Sequence, residues 1–180
     1  MVAIKNLFNA LVATALISGT NALPAPEAVG DVVNTLYTAA NTYENLHNAV
    51  KAFDGQAAKY TAITNDEAAV EASLHHAIDA AHATAHLSDE DSKFVMQALA
   101  HPYPEFMGKL LDDIVAKKPQ VVQVGKNGDM LRMLNNLKVL SKELPVALEP
   151  KVDAKDAEEI KSGEKWAQGL FVDAIKAYTQ

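Results

Sequence analysis

No cysteine occurs among the 180 residues. That excludes a disulfide framework, a thiolate zinc site, an iron–sulfur cluster and a cysteine nucleophile. Aromatic residues are scarce, at 6%, with a single tryptophan, so any core must be built largely from small and aliphatic side chains. Basic charge is in deficit: 16 lysines and arginines stand against 23 aspartates and glutamates, a formal net charge of −7. A nucleic-acid backbone needs a basic face, so no nucleic-acid partner is expected. No GxSxG elbow is present, and the GKNG at 125–128 lacks the P-loop spacing. No apolar run is long enough to span the roughly 30 Å of a bilayer, and no Asn-x-Ser/Thr sequon occurs.

Alanine is abundant, at 31 residues within a 49% hydrophobic total. The chain opens with a secretory address. Lys5 supplies a positive n-region, Leu7 to Ile17 an apolar h-region, and Thr20-Asn21-Ala22 a small-residue cleavage site before Leu23-Pro24. Residues 1–22 are read as a signal peptide and 23–180 as one domain, secreted and extracellular. Losing Lys5 leaves 15 basic against 23 acidic residues. The C-terminal FVDAIKAYTQ is not the greasy tail of a lipid-anchor signal.

Every long segment of that domain has helical period. A first helix is expected over 27–54: Val29, Leu36, Tyr43 and Val50 repeat every seven residues, Val32, Ala39, Leu46 and Phe53 fill the second heptad position, and Val33 and Ala40 widen the stripe. Gly55 is its stop. The second helix is expected from Thr64, where Thr64 and Glu67 form a capping-box pattern behind Ile63. Its apolar face is Val70, Leu74, Ala77, Ile78, Ala81 and Ala85. A third starts at Ser88 with Phe94, Val95, Ala98 and Leu99, breaks at His101-Pro102-Tyr103-Pro104, and resumes with Phe106, Met107, Leu110, Leu111, Ile114 and Val115. From Pro119 to Pro145 one helix is expected, frayed at Gly125 and Gly128, the alternative being a turn at Gly125–Asp129. The last helix is capped by Asp153 and carries Ile160, Ala167, Leu170, Ala174, Ile175 and Tyr178, flanked by Trp166 and Phe171. The fold class is all-α: a single-domain antiparallel bundle of about five helices.

Polar constellations are thin. His75, Asp79, His82 and His86 share a face of the second helix, and His82 with His86 at i, i+4 could chelate a metal. No catalytic zinc motif accompanies them, so the face is read as solvated and no cofactor is expected. Asp112-Asp113 and Glu158-Glu159 are read as solvated surface charge. The apolar stripes make either a filled core or an elongated apolar cavity between helices, of the kind that suits an acyl chain. The sequence leaves both open.

The run DVVNTLYTAANTYENLHNAVKAFDGQ at 31–56, ending in Phe53-Asp54-Gly55, and the closing WAQGLFVDAIKAYTQ together resemble the fungal hydrophobic surface-binding protein A family, which includes cell-wall galactomannoproteins. The resemblance covers the whole of 23–180. It implies a secreted helical protein of the fungal wall or medium that adsorbs to hydrophobic surfaces and recruits a secreted esterase, or binds fatty acids in a bundle. The chain lacks the Ser/Thr-rich stalk and anchor tail of the covalently attached relatives.

The expected function is therefore non-enzymatic binding of a long-chain fatty acid or similar lipid. The lining residues expected are Tyr43, Leu46, Val50, Leu74, Ile78, Phe106, Leu110, Leu134, Leu170 and Phe171. N-terminal sequencing of protein recovered from culture medium should begin at Leu23; a retained Met1 would refute the processing.

Overall fold

The computed structural model describes residues 27–102 and 105–180. The expected signal peptide and its cleavage site lie outside them, as do Tyr103 and Pro104 of the expected break. Seven helices form among the described residues: α1 Glu27–Ala52, α2 Ala57–Ala83, α3 Asp89–Leu99, α4 Phe106–Ala116, α5 Lys118–Gln123, α6 Asn127–Leu148 and α7 Ala154–Thr179. None is long and apolar enough to cross a membrane.

The first helix follows its heptads closely. Val29, Leu36, Tyr43, Val50, Val32, Ala39, Leu46 and Phe53 are all buried. Beyond Ala52 the chain turns through Gly55, whose φ of +94° is a left-handed conformation that a Cβ disfavours. Asp54 holds the turn by accepting from the Gln56 N–H and from Lys59 Nζ. α2 therefore starts at Ala57, seven residues before the Thr64 cap expected from sequence. Thr64 is inside the helix and donates back to the Tyr60 carbonyl at 3.4 Å. Glu67 does not reach back to cap but turns to Arg132. Ala85, expected on the helix face, is exposed beyond the helix end.

Small side chains let α1 and α2 lie close. Thr42 and Ser73 share a hydroxyl–hydroxyl hydrogen bond of 2.8 Å, and Phe53 meets Tyr60 edge-on at 5.7 Å. Buried Ala39, Ala40, Ala77 and Ala81 belong to this antiparallel pair. At the other end of α2, Ser88 caps α3 by accepting from the Asp91 N–H, as its sequence signature predicts. Leu99 departs from its expected place in the core and is 36% exposed, at the last turn of the short α3.

The expected single helix over 119–145 is two. Gly125 adopts φ +70° and separates α5 from α6, so the turn alternative is the observed structure. Pro119 sits in the first turn of α5, where its missing N–H costs nothing. α6 then runs past Pro145 to Leu148, because Leu144, Ala147 and Leu148 are buried and hold the last turn in place. Asp153 caps α7 by accepting from the Lys155 and Asp156 N–H groups.

Successive long helices alternate in direction, yet the bundle closes as a ring. α1 packs on α2, α2 on α6, α6 on α7, and α3 with α4 form one broken post that joins α7 back to α1. Paired residues give the directions. Glu67–Arg132 and Glu71–Asn136 advance together, so α2 and α6 are parallel. His47–Asp113 and Lys51–Lys117 make α1 and α4 parallel in the same way. Lysines close the helix ends: Lys117 Nζ donates to the Lys51 and Phe53 carbonyls, Lys118 Nζ to Ala177, and Lys151 Nζ to His82 and Thr84. Each meets the negative end of a helix dipole.

The turn at Gly125 gives a test of opposite sign for the two chain paths. A Cβ there meets open space, so Gly125→Ala bears only the left-handed backbone penalty and should lose about 1 kcal/mol in urea unfolding. In a continuous helix the same change would gain about 1 kcal/mol.

Candidate functional site

The ring has an apolar centre, and the expected lining residues converge on it. Tyr43, Leu46, Val50, Leu74, Ile78, Phe106, Leu110, Leu134 and Phe171 are all buried members of one core cluster, and Leu170 packs against it partly buried. α1, α2, α4, α6 and α7 each contribute. Met130, Met133 and Leu137 of α6 complete the wall opposite α1. Flexible thioethers and alanines make this a core that can repack.

Polarity within it is sparse and paired. Tyr43 Oη and Ser141 Oγ lie 3.0 Å apart, linking α1 to α6 across the ring. Burial pushes the Tyr43 phenol up to about 12, so it stays neutral. Tyr178 donates to the Ile114 carbonyl at 2.8 Å, fixing α7 to α4. Sequence reasoning passed over Ser141, although it stands seven residues after Leu134 and four after Leu137. A hydroxyl in a heptad core position was the readable signal.

Two polar pairs flank the interior. Glu67, 5% exposed, receives both Arg132 guanidinium nitrogens at 2.9 and 3.3 Å. Burial raises its carboxyl above the ordinary value and Arg132 opposes that shift. His47 is also buried, with Nε2 2.7 Å from Asp113 Oδ2 and its ring edge-on to Phe106 at 5.3 Å. Asp113 is thus not the free surface charge its sequence suggested. Only a tertiary contact 66 positions away recruits it. His47 continues the row of Val33 and Ala40, which was the overlooked clue.

The expected histidine face separates. His75, Asp79 and His82 are exposed on α2. His86 lies beyond the helix end, where its Nδ1 donates to the Pro150 carbonyl at 3.1 Å, so the i, i+4 chelate geometry is lost. No cluster of three or more His, Asp or Glu residues able to hold a metal occurs among the described residues.

Surface depressions lie at two seams. One of about 260 Å³ between α1 and α4 is lined by Glu44, His47, Asn48, Lys51, Phe106 and Lys109. The other, about 600 Å³ between α6 and α7, includes Val139, Val146 and Gln168.

One buried carboxyl has no part in these arrangements. Asp156 is 8% exposed and its Oδ2 has no hydrogen-bond partner among the described residues. Burial, then the neighbouring Asp153 charge, raises its carboxyl above the ordinary value. The folded state therefore favours the proton, and the penalty is present above the folded-state value and fades as pH falls through it. Asp156→Asn should raise the melting temperature at neutral pH, and the gain should shrink on acidification. An equal gain at all pH values would refute the burial penalty.

The family model for hydrophobic surface binding protein A matches residues 29–149. Among solved structures, AFMP4P in complex with palmitic acid is similar, with a TM-score of 0.80 at 30% identity, over 83% of this chain and 99% of that one. Ligand binding domain 1 of the Penicillium marneffei MP1 protein, complexed with arachidonic acids, has a TM-score of 0.73 at 17% identity, over 84% of this chain and 99% of that one. Domain 2 of MP1, complexed with multiple arachidonic acids, has a TM-score of 0.69 at 15% identity, over 84% and 94%. The two MP1 domains bear on the fold alone. No curated protein matches the chain significantly.

Proposed function

The chain belongs to the hydrophobic surface binding protein A family, and from that premise we propose that it is a secreted, non-enzymatic protein that takes up a long-chain fatty acid between its helices. The observation that carries this is the likeness to AFMP4P in complex with palmitic acid, at 30% identity over nearly all of that chain. The apolar ring supports it. An acyl chain would displace or part side chains of the buried cluster such as Tyr43, Leu46, Leu134 and Phe171, which come from three helices. Each buried methylene contributes roughly 0.8 kcal/mol, so about ten offset much of the entropy lost on association. Affinity dominated by the chain implies loose selection among fatty acids. Cell-wall association belongs to the same proposal.

A second reading is favoured by exposed apolar residues. Val139 and Val146 are each 54% exposed along one face of α6, and Val172 is 49% exposed on α7. Such a face suits adsorption to a hydrophobic surface, where a secreted esterase would be recruited.

Palmitic acid titration of residues 23–180 separates the two. Saturable uptake with a rise in melting temperature is expected, worth about 2.7 kcal/mol at a hundredfold excess over Kd. Leu134→Ala should lose about 2–5 kcal/mol without ligand and recover part of it with palmitic acid, because the chain fills the space. Adsorption to hydrophobic beads without saturable uptake would replace the first reading by the second.

A further inference from the structure

We propose that the groove between α1 and α4 binds the carboxylate of the lipid, with Lys51 and Lys109 as its cationic partners and Phe106 as the junction to the apolar interior. The proposal rests on the fatty-acid reading and adds the place where the head group sits.

Two facing stripes build the groove. Glu44, His47, Asn48 and Lys51 follow one another at helical spacing on α1, and Phe106 and Lys109 face them from α4. Neither Lys51 nor Lys109 forms a salt bridge among the described residues, whereas Lys59, Lys126 and Arg132 are each matched to a carboxylate. Asp113, bonded to His47 Nε2 at 2.7 Å, is not among the groove's lining residues. Glu44 is the acidic group in that lining, so two ammonium groups and one carboxylate line the groove. In a chain of net charge −7, this local excess of positive charge offsets the long-range repulsion of an anionic lipid.

Phe106 lines the groove and also belongs to the buried core. Phe106 therefore connects the groove to the buried cluster, which on the same two helices includes Leu46, Val50 and Leu110. An anionic head joined to an apolar chain is the chemistry of an ionised fatty acid. A small free anion would use the groove alone. Of the other polar candidates, the Tyr43–Ser141 pair is mutually satisfied and uncharged, and the α6–α7 depression, although it holds Lys138, Lys142 and Glu143, is lined by no residue of the buried core.

The test compares palmitic acid with its methyl ester, which keeps the chain and removes the charge. Wild-type protein should bind the acid about tenfold more tightly, the worth of a charge-assisted hydrogen bond. In Lys51→Ala/Lys109→Ala that preference should fall to near one while the ester affinity stays constant. Both lysines are exposed, so the double variant should fold, as circular dichroism will show. Tyr43→Phe should keep the preference. An unchanged preference in the double variant, or its loss in Tyr43→Phe, overturns the assignment and leaves fatty-acid binding intact. Failure of the wild type to bind either compound overturns the fatty-acid reading, and the head-group site with it.

Discussion

The close approach of α1 and α2 sets the frame on which the other helices are placed. With no disulfide available, two long helices must hold their register through side chains alone. Alanines at 39, 77 and 81 bring the backbones together, and the Thr42–Ser73 bond and Phe53–Tyr60 contact fix the relative slide. Once that seam is set, every other face of α1 and α2 has a direction. Tyr43 and Leu46 turn to the centre of the ring, His47 turns to α4, and Glu67 on α2 turns to α6. A larger residue at Ala39 or Ala77 would force the pair apart and rotate these faces together, since packed interiors yield little space.

Charge then decides where the ring closes. Glu67 is buried at a seam whose partner, Arg132, remains half in solvent. Such a pair is a weak source of stability, because desolvation takes back much of the attraction. Its effect is on register, since only one alignment of α6 brings Arg132 to Glu67 and Asn136 to Glu71 at once. His47 and Asp113 do the same for α1 and α4. The lysine ammonium groups on the helix ends add the same constraint along the axis.

What could be read from the sequence was what is decided within a few residues. The eight heptad positions of α1, the Ser88 cap and the Asp153 cap each depend on neighbours along the chain, and each was legible. The Thr64–Glu67 capping signal failed because a tertiary partner 65 residues away competes for Glu67. Gly125 and Gly128 offered a turn or a weakened helix with equal local logic, and packing of Val121 and Met130 on either side decided for the turn. The buried apolar positions were legible as stripes. Their convergence in one cluster followed from helix order, which periodicity does not encode. His47 and Ser141 stand in core rows, but their polarity gives no apolar periodicity, and only their tertiary partners account for their place there.

The route of a ligand into the ring can be argued from its ends. One end is covered by α5, where Val121 is fully buried and Lys117 and Lys118 bind the carbonyl ends of α1 and α7. The opposite end is closed by Leu87, Val152 and the buried Ser92, which accepts from the Asp153 N–H. Lateral access is left. The α1–α2 and α6–α7 seams join long helices along most of their length, whereas the post facing α1 is broken between Leu99 and Phe106. α4 is an 11-residue helix meeting α1 over a short stretch. Displacing it breaks fewer apolar contacts than parting two helices of more than 20 residues. In the proposed function, then, the seam that carries the two lysines is also a shorter one than those joining the long helices.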